Sequence, residues 1–175
     1  MIETRNFDVI LNDLCDLYRI KKQVKFDVLL PNDISQIYKH VGEICIGDDF
    51  KFLSYGGAKK INNILHRDFH ELEDHFWVFA ENRSGDLWLL SFKNMSPDSR
   101  VYFYDHGIED YSSNNMLDMN ISIEQWFVLA DLVSQAYQDD YLDAAFRLKE
   151  PFREKLQLEM EKISSGLSEI YPFEI

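Results

Sequence analysis

The 175-residue chain has only two cysteines, Cys15 and Cys45, and no Cys-x-x-Cys spacing, so reduced, partly buried thiols are expected in place of a disulfide. No apolar run approaches the roughly 20 residues that a membrane-spanning helix needs. The opening stretch MIETRNFDVILNDL puts acids where a secretion signal needs an unbroken apolar segment, so a cytoplasmic protein is expected. Phosphate-cradling glycine loops are missing as well: YGGAKK at 55–60 lacks the G-x-x-x-x-G-K pattern and its following Ser or Thr, and Gly56 and Gly57 read as a strand-to-helix turn. Without a G-x-S-x-G elbow or a cysteine in a nucleophile signature, acyl transfer has no visible nucleophile. Internal repeats and low-complexity tracts are absent.

The last absence is of one sign of charge. Between Val101 and Phe146 there is no Lys or Arg, while Asp105, Glu109, Asp110, Asp118, Glu124, Asp131, Asp139, Asp140 and Asp143 supply nine carboxylates. Residues 1–100 hold 13 basic and 16 acidic side chains and residues 101–175 hold 5 and 15, so the net charges are -3 and -10 and sum to -13. Phosphate binding needs clustered Lys and Arg to displace counterions, so nucleic acid is not expected as a direct ligand. A one-sign field lowers non-specific sticking and steers a basic partner toward the surface.

What is present is ample core material: 46% hydrophobic and 14% aromatic residues against 28% charged, enough for one domain over 1–175. Phe7, Ile10, Leu11, Leu14, Leu17 and Tyr18 recur at spacings of three and four and predict a helix over 7–22 with Asn6 as its N-cap. A second helix follows Pro31, with Ile34, Ile37, Tyr38 and Val41 as its stripe and Gly42 as its stop. DDFKFLSYGG reads as a half-buried strand, and the next helix carries Ile61, Ile64, Leu65, Phe69 and Leu72 on one face. FWVFAE, LWLLSF and VYFYDH, separated by short turns, predict an antiparallel meander. After a polar loop, Ser122 and Gln125 form a capping-box pair ahead of a helix with Trp126, Ala130, Val133 and Tyr137 on one face. Pro151 starts a last helix with Phe152, Leu156 and Ile163 as its stripe. Consecutive strands with grouped helices mean α+β, with a central antiparallel sheet of about four or more strands flanked by helices.

Three constellations could carry chemistry. His66 and His70 sit four apart on a predicted helix, as a metal pair would, but Arg67 stands where a zincin helix has its general-base Glu, so a solvated helix face is the expectation and no metal or other cofactor is assigned. Asp105 and His106 close a strand, where neighbours point to opposite faces, so they read as rim residues and not as a dyad. In NRSGD, Gly85 supplies a positive φ and Asp86 closes the turn through its carboxylate, a folding role.

Four ordered pieces, LLPNDISQIYKHVGEI, VFAENRSGDLWLLSF, VYFYDHG and ISIEQWFVLAD, resemble the SUKH superfamily over about residues 29–131, with 132–175 as an extension. The Gly-Asp turn between apolar strands is the most specific of them; the helix-ending Gly, often preceded by Asn in that superfamily, here follows Val41. The resemblance implies an α+β domain without catalytic activity that neutralises a polymorphic or contact-dependent toxin, commonly a nuclease with a basic surface. The partner-binding residues expected are then Asp105, Glu109, Asp110, Tyr111, Asp118, Asp139, Asp140 and Asp143, the tyrosine as anchor and the carboxylates setting rate and orientation. The alternatives are a scaffold or regulatory interaction domain unrelated to toxins, and a metal-dependent enzyme built on His66 and His70.

Overall fold

A computed structural model describes residues 1–18, 24–47, 50–69, 76–91, 100–108 and 112–175. Within them the order is α1 (Phe7–Tyr18), α2 (Asn32–His40), β1 (Ile44–Ile46), β2 (Phe50–Phe52), α3 (Tyr55–Asp68), β3 (Phe76–Glu81), β4 (Leu87–Ser91), β5 (Arg100–Tyr104), β6 (Leu117–Ser122), α4 (Ile123–Ala136), α5 (Glu150–Ile163) and the single turn α6 (Leu167–Ile170). The six strands form one antiparallel sheet in chain order, so the fold is α+β. Two strands exceed the sequence reading. β1 is three residues long, too short to display an alternation, whereas β6 carries one in Leu117, Met119 and Ile121, of which the first two stood inside the expected polar loop and Ile121 at the head of the expected helical stretch.

The helix α4 is the hub. Trp126, Phe127, Leu129, Ala130 and Leu132 are all fully buried, because one side meets the sheet and the others meet α1, α2 and α5. A helix apolar nearly all round belongs in the interior, so its core face is wider than the expected stripe, and Tyr137 falls past its end, partly exposed. Ser122 and Gln125 make the expected capping box. Rings do most of the filling: Trp126 packs against Phe50, Phe79, Trp88 and Phe127, with centroids 5.0–6.0 Å apart. The C-terminal segment belongs to this core, since Leu156, Met160 and Leu167 are fully buried and Phe173 lies on Phe103 at 5.3 Å.

Local details correct other expectations. Asn6 caps α1 by accepting from the Asp8 N–H at 2.8 Å, and α1 is described as far as Tyr18. The second helix is stopped by Val41 turning to extended backbone, not by Gly42. Ser54 Oγ accepts from the Gly57 N–H, which places Gly56 and Gly57 inside the first turn of α3 and not in a preceding turn. On α3 the buried face runs through Ala58, Asn62 and Leu65, and Ile64 is exposed; Leu72 lies outside the described residues. The polar member of that face has a purpose. Asn62 Nδ2 donates to the Ala58 and Val78 carbonyls and its Oδ1 accepts from the Val78 N–H, satisfying backbone freed where β3 bulges between Val78 and Ala80.

Candidate functional site

Strand register brings two sequence motifs together at one end of the sheet. Leu87 pairs with Tyr104, so the turn before β4 and the turn after β5 lie side by side. In the first, Gly85 takes φ +96, and the backbone closes through Gly85 N–H to the Asn82 carbonyl and Asn82 N–H to the Asp86 carbonyl. The side chain that binds turn backbone is Asn82, whose Oδ1 accepts from the Asp86 N–H at 2.8 Å. Asp86 itself reaches outward. One carboxylate oxygen accepts from Asn82 Nδ2 at 2.6 Å, and the other accepts from the His106 backbone N–H at 3.0 Å and ring Nδ1 at 2.6 Å. Its folding role thus includes fastening the next loop, beyond closing its own turn.

The titration of this pair follows from that geometry. Burial works to raise the Asp86 carboxyl, but the bonds from His106 and Asn82 outweigh it and hold it below the usual carboxylate value. The Asp86 carboxylate in turn raises His106 above 6.5. The expectation that Asp105 and His106 diverge along a strand is overturned: β5 ends at Tyr104, both residues lie in the turn, and one ligand-type atom from each of Asp86, Asp105 and His106 falls within 4.8 Å of the others. Those atoms have internal uses. Asp86 is saturated as described, and Asp105 Oδ1 accepts from the Gly107 N–H at 2.7 Å. A cation here would have to displace hydrogen bonds that shape both turns.

The loop that begins at Asp105 is further held by Ile108 N–H to the Asp105 carbonyl and by the Tyr104 hydroxyl to the Ile108 carbonyl. Asp105 is exposed and has no ion pair among the described residues. Glu109, Asp110 and Tyr111, in the same connection, lie outside the described residues, as does His70. His66 puts Nε2 3.2 Å from the Phe76 carbonyl, a contact that ties α3 to the start of β3. Beside the Asn82 turn, Cys45, Gly47, Lys51, Asn82 and Arg83 line a cavity of about 270 Å³.

Elsewhere the fold closes much of the acidic segment with bases from outside it. Arg100, one residue before the segment, donates to Asp118 at 2.8 Å, and Arg5, from the N-terminus, holds Asp131 through two nitrogens. A Leu142–Leu148 bridge folds the chain back so that Arg147 pairs with Asp143 at 3.4 Å and Lys149 Nζ donates to the Asp140 carbonyl. Asp143 also accepts from the Ala145 and Arg147 N–H groups, which holds its carboxyl below the usual value. Asp140 is exposed, and the side chain of Asp139 lies outside the described residues. The proposed surface residues therefore divide: Asp118 and Asp143 are engaged in ion pairs, whereas Asp105 and Asp140 present carboxylates without one among the described residues.

Asp86 with His106, and Asn62 at its bulge, were not recognisable as partners in sequence. The former pair is 20 residues apart and the signal that joins them is strand register. No helix among the described residues is long and apolar enough to cross a membrane. No protein-family model, curated protein or solved structure matches the chain.

Proposed function

We propose that this chain is a non-catalytic binding protein that neutralises a cognate toxin domain with a basic surface, in the manner of the SUKH-type immunity proteins that its sequence resembles. The observation that carries the reading is the turn opening at Asp105: an exposed carboxylate without an ion pair among the described residues, on a turn fastened by Asp86 and Tyr104, and followed in sequence by Glu109 and Asp110 with no Lys or Arg before Arg147. A carboxylate on a fastened turn lowers the ordering cost of binding, and a run of acids raises the encounter rate with a cationic surface. Ion pairing within the fold moves the weight of the interface from Asp118 and Asp143 to Asp105 and Asp140, while Glu109, Asp110, Tyr111 and Asp139 enter the proposed surface on the sequence alone. Because the side chains of Asp86, Asp105 and His106 already serve the turns, they support positioning and not proton transfer.

Co-expression with candidate toxin domains that carry a basic surface tests the reading, with growth rescue and a measured complex as the expected results. Asp105→Lys, Glu109→Lys and Asp110→Lys together should slow association by about tenfold or more at low salt and flatten its salt dependence. A toxin that binds this triple variant at the wild-type rate removes the acidic loop from the interface.

A further inference from the structure

The turn between Asp143 and Arg147 holds an aromatic side chain in an unusual position. Phe146 is 79% exposed and sits at φ +59, the left-handed region that non-glycine residues rarely enter. The turn enforces it. Asp143 Oδ1 accepts from the Ala145 and Arg147 N–H groups, Phe146 N–H donates to the Asp143 carbonyl, and Asp143 N–H donates to the Arg147 carbonyl at 2.8 Å. The flanking Leu142–Leu148 bridge and the bond from Lys149 N–H to the Tyr141 carbonyl anchor the base of the turn. Such an arrangement costs free energy twice, once in backbone strain and once in exposed apolar surface, with no return inside the chain.

Beside this projecting ring is a recess of about 250 Å³ lined by Tyr137, Phe146, Arg147, Leu148, Arg153 and Glu174. It is smaller than a drug-sized site and suited to one side chain. Its rim carries both signs: Arg147, 71% exposed, is loosely paired with Asp143 at 3.4 Å, Arg153 with Glu150 at 3.3 Å, and Glu174 lies on the wall. Arg153 also has a buried Nε with no hydrogen-bond acceptor among the described residues.

We propose that this patch is a self-association surface, in which Phe146 of each of two copies enters the recess of the other about a two-fold axis. Charge complementarity selects a second copy as the occupant. With a net charge of -13, two copies repel one another over most of their surface, but here Arg147, Arg153 and Glu174 line one recess, so a two-fold apposition can set the arginines of each copy against Glu174 of the other. A two-fold interface also needs its projection and its recess on one patch, which is the arrangement present. The contact is small and the long-range repulsion persists, so the dimer is weak and strengthens when moderate salt screens that repulsion. The inference is independent of the toxin-binding reading.

Sedimentation velocity of the full chain from low micromolar to millimolar concentration, at low and at moderate salt, tests it. The weight-average sedimentation coefficient should rise with concentration, and more so at moderate salt. Phe146→Gly should weaken dimerisation at least tenfold while raising the thermal midpoint, because glycine relieves the positive φ; that rise also shows that the variant is folded. Phe146→Ala should weaken it similarly without the gain. Arg147→Glu should abolish self-association, and mixing it with Glu174→Arg should restore a heterodimer. A wild-type chain that stays monomeric throughout overturns the proposal. Unchanged dimerisation of Phe146→Gly overturns it as well.

Discussion

Replacing Asp86 tests the central claim about the paired turns. The carboxylate is 7% exposed and accepts three hydrogen bonds, one from Asn82 Nδ2 and two from His106. In Asp86→Ala the Asn82 amide, 6% exposed, loses its acceptor in a place water reaches poorly. His106 is exposed, so its ring and backbone N–H recover solvent and their bonds are mostly replaced. An unsatisfied buried group costs about 1–3 kcal/mol, and the loss is of that size. For a chain of this length that is a fall of roughly 2–12 °C in thermal midpoint. Asp86→Asn discriminates further. Its amide nitrogen would face either the Asn82 Nδ2 or the two His106 donors, and Asn82 cannot flip without giving up its bond to the Asp86 N–H, so most of the loss remains. Urea unfolding at neutral pH, with an unchanged slope, measures both variants. If both stay within about 0.5 kcal/mol of wild type, Asp86 is a solvated surface acid and the fastening of the second turn by the first is wrong.

Three other perturbations follow from the same kind of geometry. Asn62→Leu keeps the volume but strands the Val78 N–H at the β3 bulge, and should cost about 2–4 kcal/mol by the same unfolding assay, more than an ordinary polar-to-apolar change on a helix. Glu159, 2% exposed on α5, accepts from Thr4, Lys155 and Lys162; burial works to raise its carboxyl, but those bonds outweigh it and bring it down to about 2. Because its folded value lies below the ordinary 4.5, the advantage of wild type over Glu159→Gln is full above pH 4.5 and should vanish as pH falls through about 2; a constant difference down to pH 2 contradicts it. His106 runs the other way: raised by Asp86, it stabilises the fold fully below pH 6.5, and the gap between wild type and His106→Gln should shrink as pH rises through its elevated folded value. Nuclear magnetic resonance titration of the imidazole locates that value, and a midpoint at or below 6.5 refutes the bond.

Several elements could be read locally because the signal and the structure share one length scale. The Ser122–Gln125 capping box, the meander through Trp77, Trp88 and Phe103, and the stripe of Ile34, Ile37, Tyr38 and Val41 each depend on residues within a turn or two of one another. The strand in Leu117, Met119 and Ile121 had the same kind of signal and was hidden only by its polar neighbours. Phe146 had none: a phenylalanine in a polar turn looks like any exposed apolar residue until its φ is known.

From its sequence alone the chain determined its class, an α+β domain with a meander, and its excess of negative charge toward the C-terminal half, since composition and hydrophobic period do not depend on how distant segments meet. Tertiary structure alone decided which of those charges remain unpaired. Arg5 meets Asp131 across 126 residues, Arg100 meets Asp118 on a neighbouring strand, and Asp86 finds His106 through the pairing of Leu87 with Tyr104. An ion pair or hydrogen bond exists only within about 3–4 Å, and contacts of that range between distant residues are set by register and packing, which linear spacing does not encode.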